Sequence, residues 1–161
     1  MSDFPAPTIP NVVPSSAAPG VILARGVCRA FALMGQAVLT EVTLANGRRA
    51  DILAMDRTGI LTIIEVKSSI EDFRTDRKWE EYRGFCDHLY FAVPESFPDM
   101  LIPDSCGLIR ADAFGAAIVR PARLENLAPA RRKAVSLRFA RLAAQRLQRL
   151  IDPGISFAMD G

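Results

Sequence analysis

Apolar residues recur at near-helical intervals over residues 21–34, through Ile22, Val27, Phe31, Leu33 and Met34, with Arg25 and Arg29 one turn apart and Gly35 as a stop. This predicts a first helix. The period then changes. Residues 37–45 and 48–55 are β-branched, alternating runs joined by Asn46-Gly47, a strong hairpin signal, and a third apolar run occupies residues 59–67 after the turn-like Asp56-Arg57-Thr58. Three consecutive strands in an antiparallel meander are expected. Over residues 70–85, Phe73, Trp79, Tyr82 and Phe85 recur among charges at spacings of three and four or their multiples, predicting one second helix. Short strands follow at 88–93, 107–111 and 116–120, with a turn or helical piece at 98–103.

The last periodic segment, residues 129–151, begins at a proline and stops at Asp152-Pro153-Gly154. At 100° per residue, Arg131, Arg138, Gln145 and Arg149 fall on one side, flanked by Arg141 and Arg146. Phe139, Ala140, Ala143, Leu147, Leu150 and Ile151 cluster opposite, while Val135 and Leu142 fall on the basic side and break the pattern. This helix is expected to dock through its apolar face and show arginine outward.

The 161 residues amount to one domain, assigned to 20–152, with a short tail at 153–161. Residues 1–19 hold five of the 11 prolines and read as a flexible arm. The order of elements makes the fold α/β, a central mixed sheet with helices on both faces. Cys28, Cys86 and Cys106 are widely spaced without a histidine arranged as a zinc partner, so they read as reduced and structural. There is no secretion signal and no run of about 18 apolar residues. A cytoplasmic protein with no membrane partner is the expectation.

Charge narrows the partner class. The net charge is only +2, but 17 of the 20 cations are arginine, which is suited to forked contacts with phosphate. Between Pro121 and Ile151 eight cations stand against one acid, Glu125, which would draw a phosphate backbone; a solvated face or an acidic partner is the other reading. DNA is therefore the expected partner, with Arg49, Lys78, Arg131, Arg138, Arg141 and Arg149 as candidate contacts.

Candidate chemistry sits on the second and third strands. Glu65 and Lys67 are two apart, so both leave one face of an apolar strand, where charge is costly unless paired or bound to metal. Asp51 on the preceding strand can converge with Glu65 if the register allows. Two carboxylates a few ångströms apart repel, and a hard divalent cation relieves them; Asp51 and Glu65 are a candidate Mg²⁺ or Mn²⁺ pair. Lys67 could orient an attacking water or stabilise transition-state charge, and Glu41 on the first strand could add a third carboxylate. From the pattern alone, an edge-strand ion pair of Glu65 and Lys67 with a turn-side Asp51 explains these residues as well. Asp72, Asp76 and Lys78 read as a solvated helix face, Trp79 as core, and His88, the only histidine, as structural or on the surface.

An acid on the second strand, Glu-x-Lys ending the third and a helix directly after resemble the PD-(D/E)xK nuclease superfamily. Its restriction-endonuclease-like core is helix, three-stranded meander, helix, strand. Ala50 stands where the superfamily name has proline. The resemblance implies that Asp51, Glu65 and the Val66 carbonyl hold the metal. A closer likeness covers residues 20–120. Arg49-Ala50-Asp51, Glu65-Val66-Lys67-Ser68-Ser69, residues 72–79 (Asp72 to Trp79), Tyr82, Cys86-Asp87 and Tyr90-Phe91-Ala92-Val93-Pro94 resemble the MmcB family of bacterial DNA-repair proteins. This implies a nuclease-like fold and a role in DNA repair, with metal-dependent phosphodiester hydrolysis as the expected activity and other repair proteins as possible partners. The competing expectation is a non-cleaving DNA-binding accessory that acts through its arginine surface. An adaptor for an acidic protein is a third.

Overall fold

The computed structural model describes residues 17–158. The expected flexible arm therefore lies, for residues 1–16, outside the described residues. Helix α1 (Pro19–Leu33) begins two residues before the apolar pattern does, because Pro19 at its first turn has no N–H to lose. Strands β1 (Ala37–Thr43), β2 (Arg49–Met55) and β3 (Leu61–Val66) form the expected antiparallel meander. Gly47, at φ +82°, supplies the left-handed conformation that the β1–β2 turn needs. Strands β4 (His88–Val93), β5 (Gly107–Ala111) and β6 (Ala116–Arg120) complete a six-stranded sheet in sequence order. β4 runs parallel to β3 and β5 to β4, while β6 returns antiparallel, so the sheet is mixed.

Each face of the sheet is covered. On one, α1 sets Leu23, Val27 and Phe31 against Ile52, Ile64, Tyr90, Ala92 and Ile109. On the other, Leu53, Leu61, Ile63, Leu89 and Phe91 pack beneath Tyr82, Phe85, Val135 and Phe139. β3 lies at the centre with all six residues buried, as expected for a strand covered on both sides.

The single helix expected over 70–85 is two pieces. α2 (Ile70–Thr75) is capped by the Ser69 hydroxyl, which accepts from the Asp72 N–H. The chain leaves helical geometry at Asp76, and a 3₁₀ segment runs from Trp79 to Phe85. The break is made by the Asp76 carboxylate, which accepts from Lys67 Nζ at 2.6 Å and from the Lys78 N–H at 3.0 Å. The turn swings Trp79 edge-on to Phe91, with centroids 5.7 Å apart, and buries Tyr82 and Phe85.

Helix α3 (Pro129–Ile151) docks by a different stripe from the one its wheel suggests. Val135 and Phe139 are buried and Leu142 packs on them, whereas Leu147, Leu150 and Ile151 are exposed. Nor do all its arginines face outward. Arg138 donates to the Thr43 carbonyl, and Arg146 to those of Thr40 and Glu41 at 2.6 and 3.0 Å. Long aliphatic stems let these residues border an apolar seam while their heads satisfy the free edge of β1.

Asp87 ties α3 to the sheet. Its buried carboxylate accepts from the backbone N–H groups of Leu61 and Leu127 and, in a fork, from Arg132 at 2.7 and 2.6 Å. Burial opposes its ionisation, but the Arg132 contact and the backbone donors outweigh that and hold the carboxyl below its usual range.

Candidate functional site

β2 and β3 pair regularly as far as Ile52 opposite Ile64. One residue beyond, side chains take over the ladder. The Asp51 N–H donates to Glu65 Oε1 at 3.1 Å, and the Val66 N–H donates to Asp51 Oδ2 at 2.8 Å. The two carboxylates thus interlock the strands where they part.

The backbone beside the pair is irregular. On β2, Leu53 and Ala50 both belong to the α3-side core while Ile52 and Ala54 face α1; strict alternation would put Ala50 with the latter. β1 slips in the same way, with Leu39 and Val42 on the α3 side. Between those two residues Glu41 adopts φ +50°, a left-handed conformation uncommon outside glycine. The irregularity lies directly across from Asp51.

Glu65 is only 3% exposed. Burial first, and then the Asp51 charge, push its carboxyl up to about 8. Burial also raises the Asp51 carboxyl, opposed by the Val66 N–H and by Lys67. Lys67, directly after the end of β3, is buried and paired at 2.6 Å with Asp76. Burial disfavours its charge, but Asp76, with smaller contributions from Asp72 and Glu65, more than offsets this and leaves the ammonium above its ordinary range. The site therefore holds a fixed cation beside two carboxylates that resist joint ionisation.

The other candidates are more dispersed. Glu41 lines a cleft of about 610 Å³ with Asp51, Val66, Thr40, Arg25 and Cys28, but its carboxylate lies 3.7 Å from Arg49 and both side chains are solvent-exposed. Among the described residues, no group of three or more His, Cys, Asp or Glu side chains is disposed to hold a metal, so Glu41 does not complete a triad. Lys78 is exposed. The Arg131 guanidinium covers Phe85 at 4.4 Å and that of Arg149 covers Phe157 at 5.1 Å. Arg138 and Arg141 line a groove between β1 and α3.

Asp76 is the site residue that sequence reasoning places wrongly, on a solvated face. The available signal was an acid nine residues beyond a lysine that a central strand would bury. His88 is structural as expected, its Nδ1 lying 3.1 Å from the Arg123 carbonyl oxygen. Trp79, partly buried, packs against the core beneath the Arg83 guanidinium, in line with the packing expectation.

The sequence profile described as DNA repair protein MmcB-like matches residues 11–154. The chain belongs to the MmcB-like family of DNA repair proteins. No curated protein matches it. Its fold is similar to that of a solved protein of unknown function from Silicibacter pomeroyi, with 42% identity and a TM-score of 0.85 over 90% of this chain and 99% of that one. Family membership brings a DNA-repair role to a six-stranded mixed α/β sheet with an acidic pair between β2 and β3. No described helix is long and apolar enough to cross a membrane.

Proposed function

We propose that this MmcB-like protein is a Mg²⁺- or Mn²⁺-dependent phosphodiesterase acting on DNA, with a core of the PD-(D/E)xK nuclease type. The observation that carries the reading is the interlock of Asp51 and Glu65. Backbone N–H groups of the opposite strand hold both carboxylates; Glu65 is buried and Asp51 partly so, burial pushes both toward protonation, and the Asp51 charge pushes Glu65 further. Protein folds rarely keep such a pair without a compensating charge.

The donor set fits a hard cation. A carboxylate offers about four lone-pair positions, so one N–H contact each leaves Asp51 and Glu65 able to ligate, with the Val66 carbonyl as a third oxygen. Mg²⁺ is commonly held by one or two carboxylates plus water and substrate phosphate, a requirement that two acids meet without Glu41. Such an ion, when bound, polarises a phosphate and lowers the pKa of an attacking water. Lys67, kept protonated by Asp76, stabilises negative charge developing on the phosphate. Asp76 also fixes the direction of that ammonium.

The test is calorimetric titration of Mn²⁺ together with cleavage of a mixed panel of single-stranded, branched and duplex DNA. Wild type is expected to bind and cleave, and Glu65→Gln to do neither. Full-rate cleavage by Glu65→Gln refutes the proposal. The Lys67–Asp76 pair favours a second reading, a DNA-binding accessory that does not cleave, because its 2.6 Å contact neutralises the lysine. Salt-sensitive DNA binding without Mn²⁺ binding in the wild type selects that reading.

A further inference from the structure

Arg138 and Arg146 are held against β1 by three carbonyl oxygens, and the groove they border, about 440 Å³, also contains Arg141, Gln145 and Leu137. Its other wall includes Glu41 and Thr43. Glu41 lines the cleft of Asp51 and Val66 as well, so groove and cleft adjoin across one residue of β1. We propose that this groove is the track for single-stranded DNA leading to the acidic pair. The inference rests on the DNA reading above and adds to it the strand class and the path.

Three features point to one strand rather than a duplex. The groove volume is that of a ligand pocket, with room for a short sugar-phosphate segment. The walls alternate guanidinium with aliphatic surface: Leu137, 54% exposed, lies on the same lining as Arg138 and Arg141. A duplex rim presents phosphate with its bases stacked away, whereas a single strand offers phosphate to arginine and an unstacked base to leucine. Finally, Arg138 and Arg146 are already oriented by their carbonyl contacts. Each guanidinium has five N–H donors, so a phosphate can be bound with little further ordering.

Glu41 is the acid at the junction. Its pairing with Arg49 at 3.7 Å reduces its repulsion of a passing phosphate, and Arg146 holds its carbonyl so that the kinked backbone keeps the opening fixed.

The experiment is fluorescence anisotropy in EDTA with a labelled oligothymidylate of about 12 nucleotides, a length within the usual site size, and a blunt duplex of equal length. Wild type is expected to bind the single strand more tightly than the duplex. Arg141→Glu and Gln145→Glu, both on the α3 wall of the groove, are each expected to weaken it about tenfold at about 50 mM salt. Arg141→Glu should also lower the salt slope by roughly 0.7 for each phosphate it ceases to neutralise. Arg57→Glu on the β2–β3 turn makes the same charge change away from the groove and should cost less than threefold. Equal losses for Arg57→Glu and Arg141→Glu, or preference for the duplex, overturn the proposal. Because EDTA removes any metal, these outcomes are independent of Mn²⁺ binding at Asp51 and Glu65, so either idea can fail alone.

Discussion

Glu65→Gln should make the protein more stable at pH 8 while abolishing its response to divalent cations. In the unfolded chain a glutamate ionises near 4.5; in the fold this carboxyl is pushed up to about 8 by burial and by Asp51. Between those values the folded state binds a proton that the unfolded state has released, so stability is full below pH 4.5 and falls as pH rises toward 8. At 1.36 kcal/mol per pKa unit, the displacement corresponds to a loss on the order of 5 kcal/mol. The Asp51 shift has the same sign and steepens the fall. The substituted amide retains an oxygen for the Asp51 N–H but cannot ionise, so the slope should largely disappear. Urea unfolding in EDTA at half-unit steps from pH 5 to 8.5 reads this directly. Addition of Mn²⁺ at pH 8 should then raise the wild-type midpoint and leave Glu65→Gln unmoved, because a ligand of the native state stabilises it by mass action. Identical pH slopes for the two proteins would refute the account of a repelling buried pair.

Asp76→Asn leaves the buried Lys67 ammonium without its anion. The cost should be roughly 2–3 kcal/mol by chemical denaturation, below the 3–5 typical of a fully buried pair because Asp76 is 24% exposed, and Lys67→Met in the same chain should recover most of it. Asp87→Asn turns an amide toward Arg132 and should cost about 3 kcal/mol or more; wild-type stability in a thermal melt would remove its role as the α3 anchor. Gly26→Ala places a methyl 1.9 Å from the Asp112 carbonyl oxygen and 2.6 Å from that of Gly115, backbone on both sides, so a loss of at least about 2 kcal/mol is expected, with normal soluble expression and an unchanged melt as the contrary result.

Local chemistry made much of this protein readable from its residues. Asn46-Gly47 between alternating runs announced the meander, and the unbroken apolar run around Ile63 announced a strand covered on both faces. Asp51, Glu65 and Lys67 stood out because charge on such strands is expensive. Near-neighbour arguments failed where a distant group decided the outcome. The 70–85 helix broke because the Asp76 carboxylate bonds Lys67 on another element, and α3 rotated its docking face because the β1 carbonyls 95 to 106 residues away capture Arg138 and Arg146. The left-handed backbone at Glu41, across β1 from Asp51, has its carbonyl held by Arg146 of α3, a contact between residues 105 apart in the chain. Periodicity and residue type fix which side chains need a partner, since that follows from bonding capacity and the cost of burial. Which partner each finds depends on register and packing, set by contacts across the whole chain.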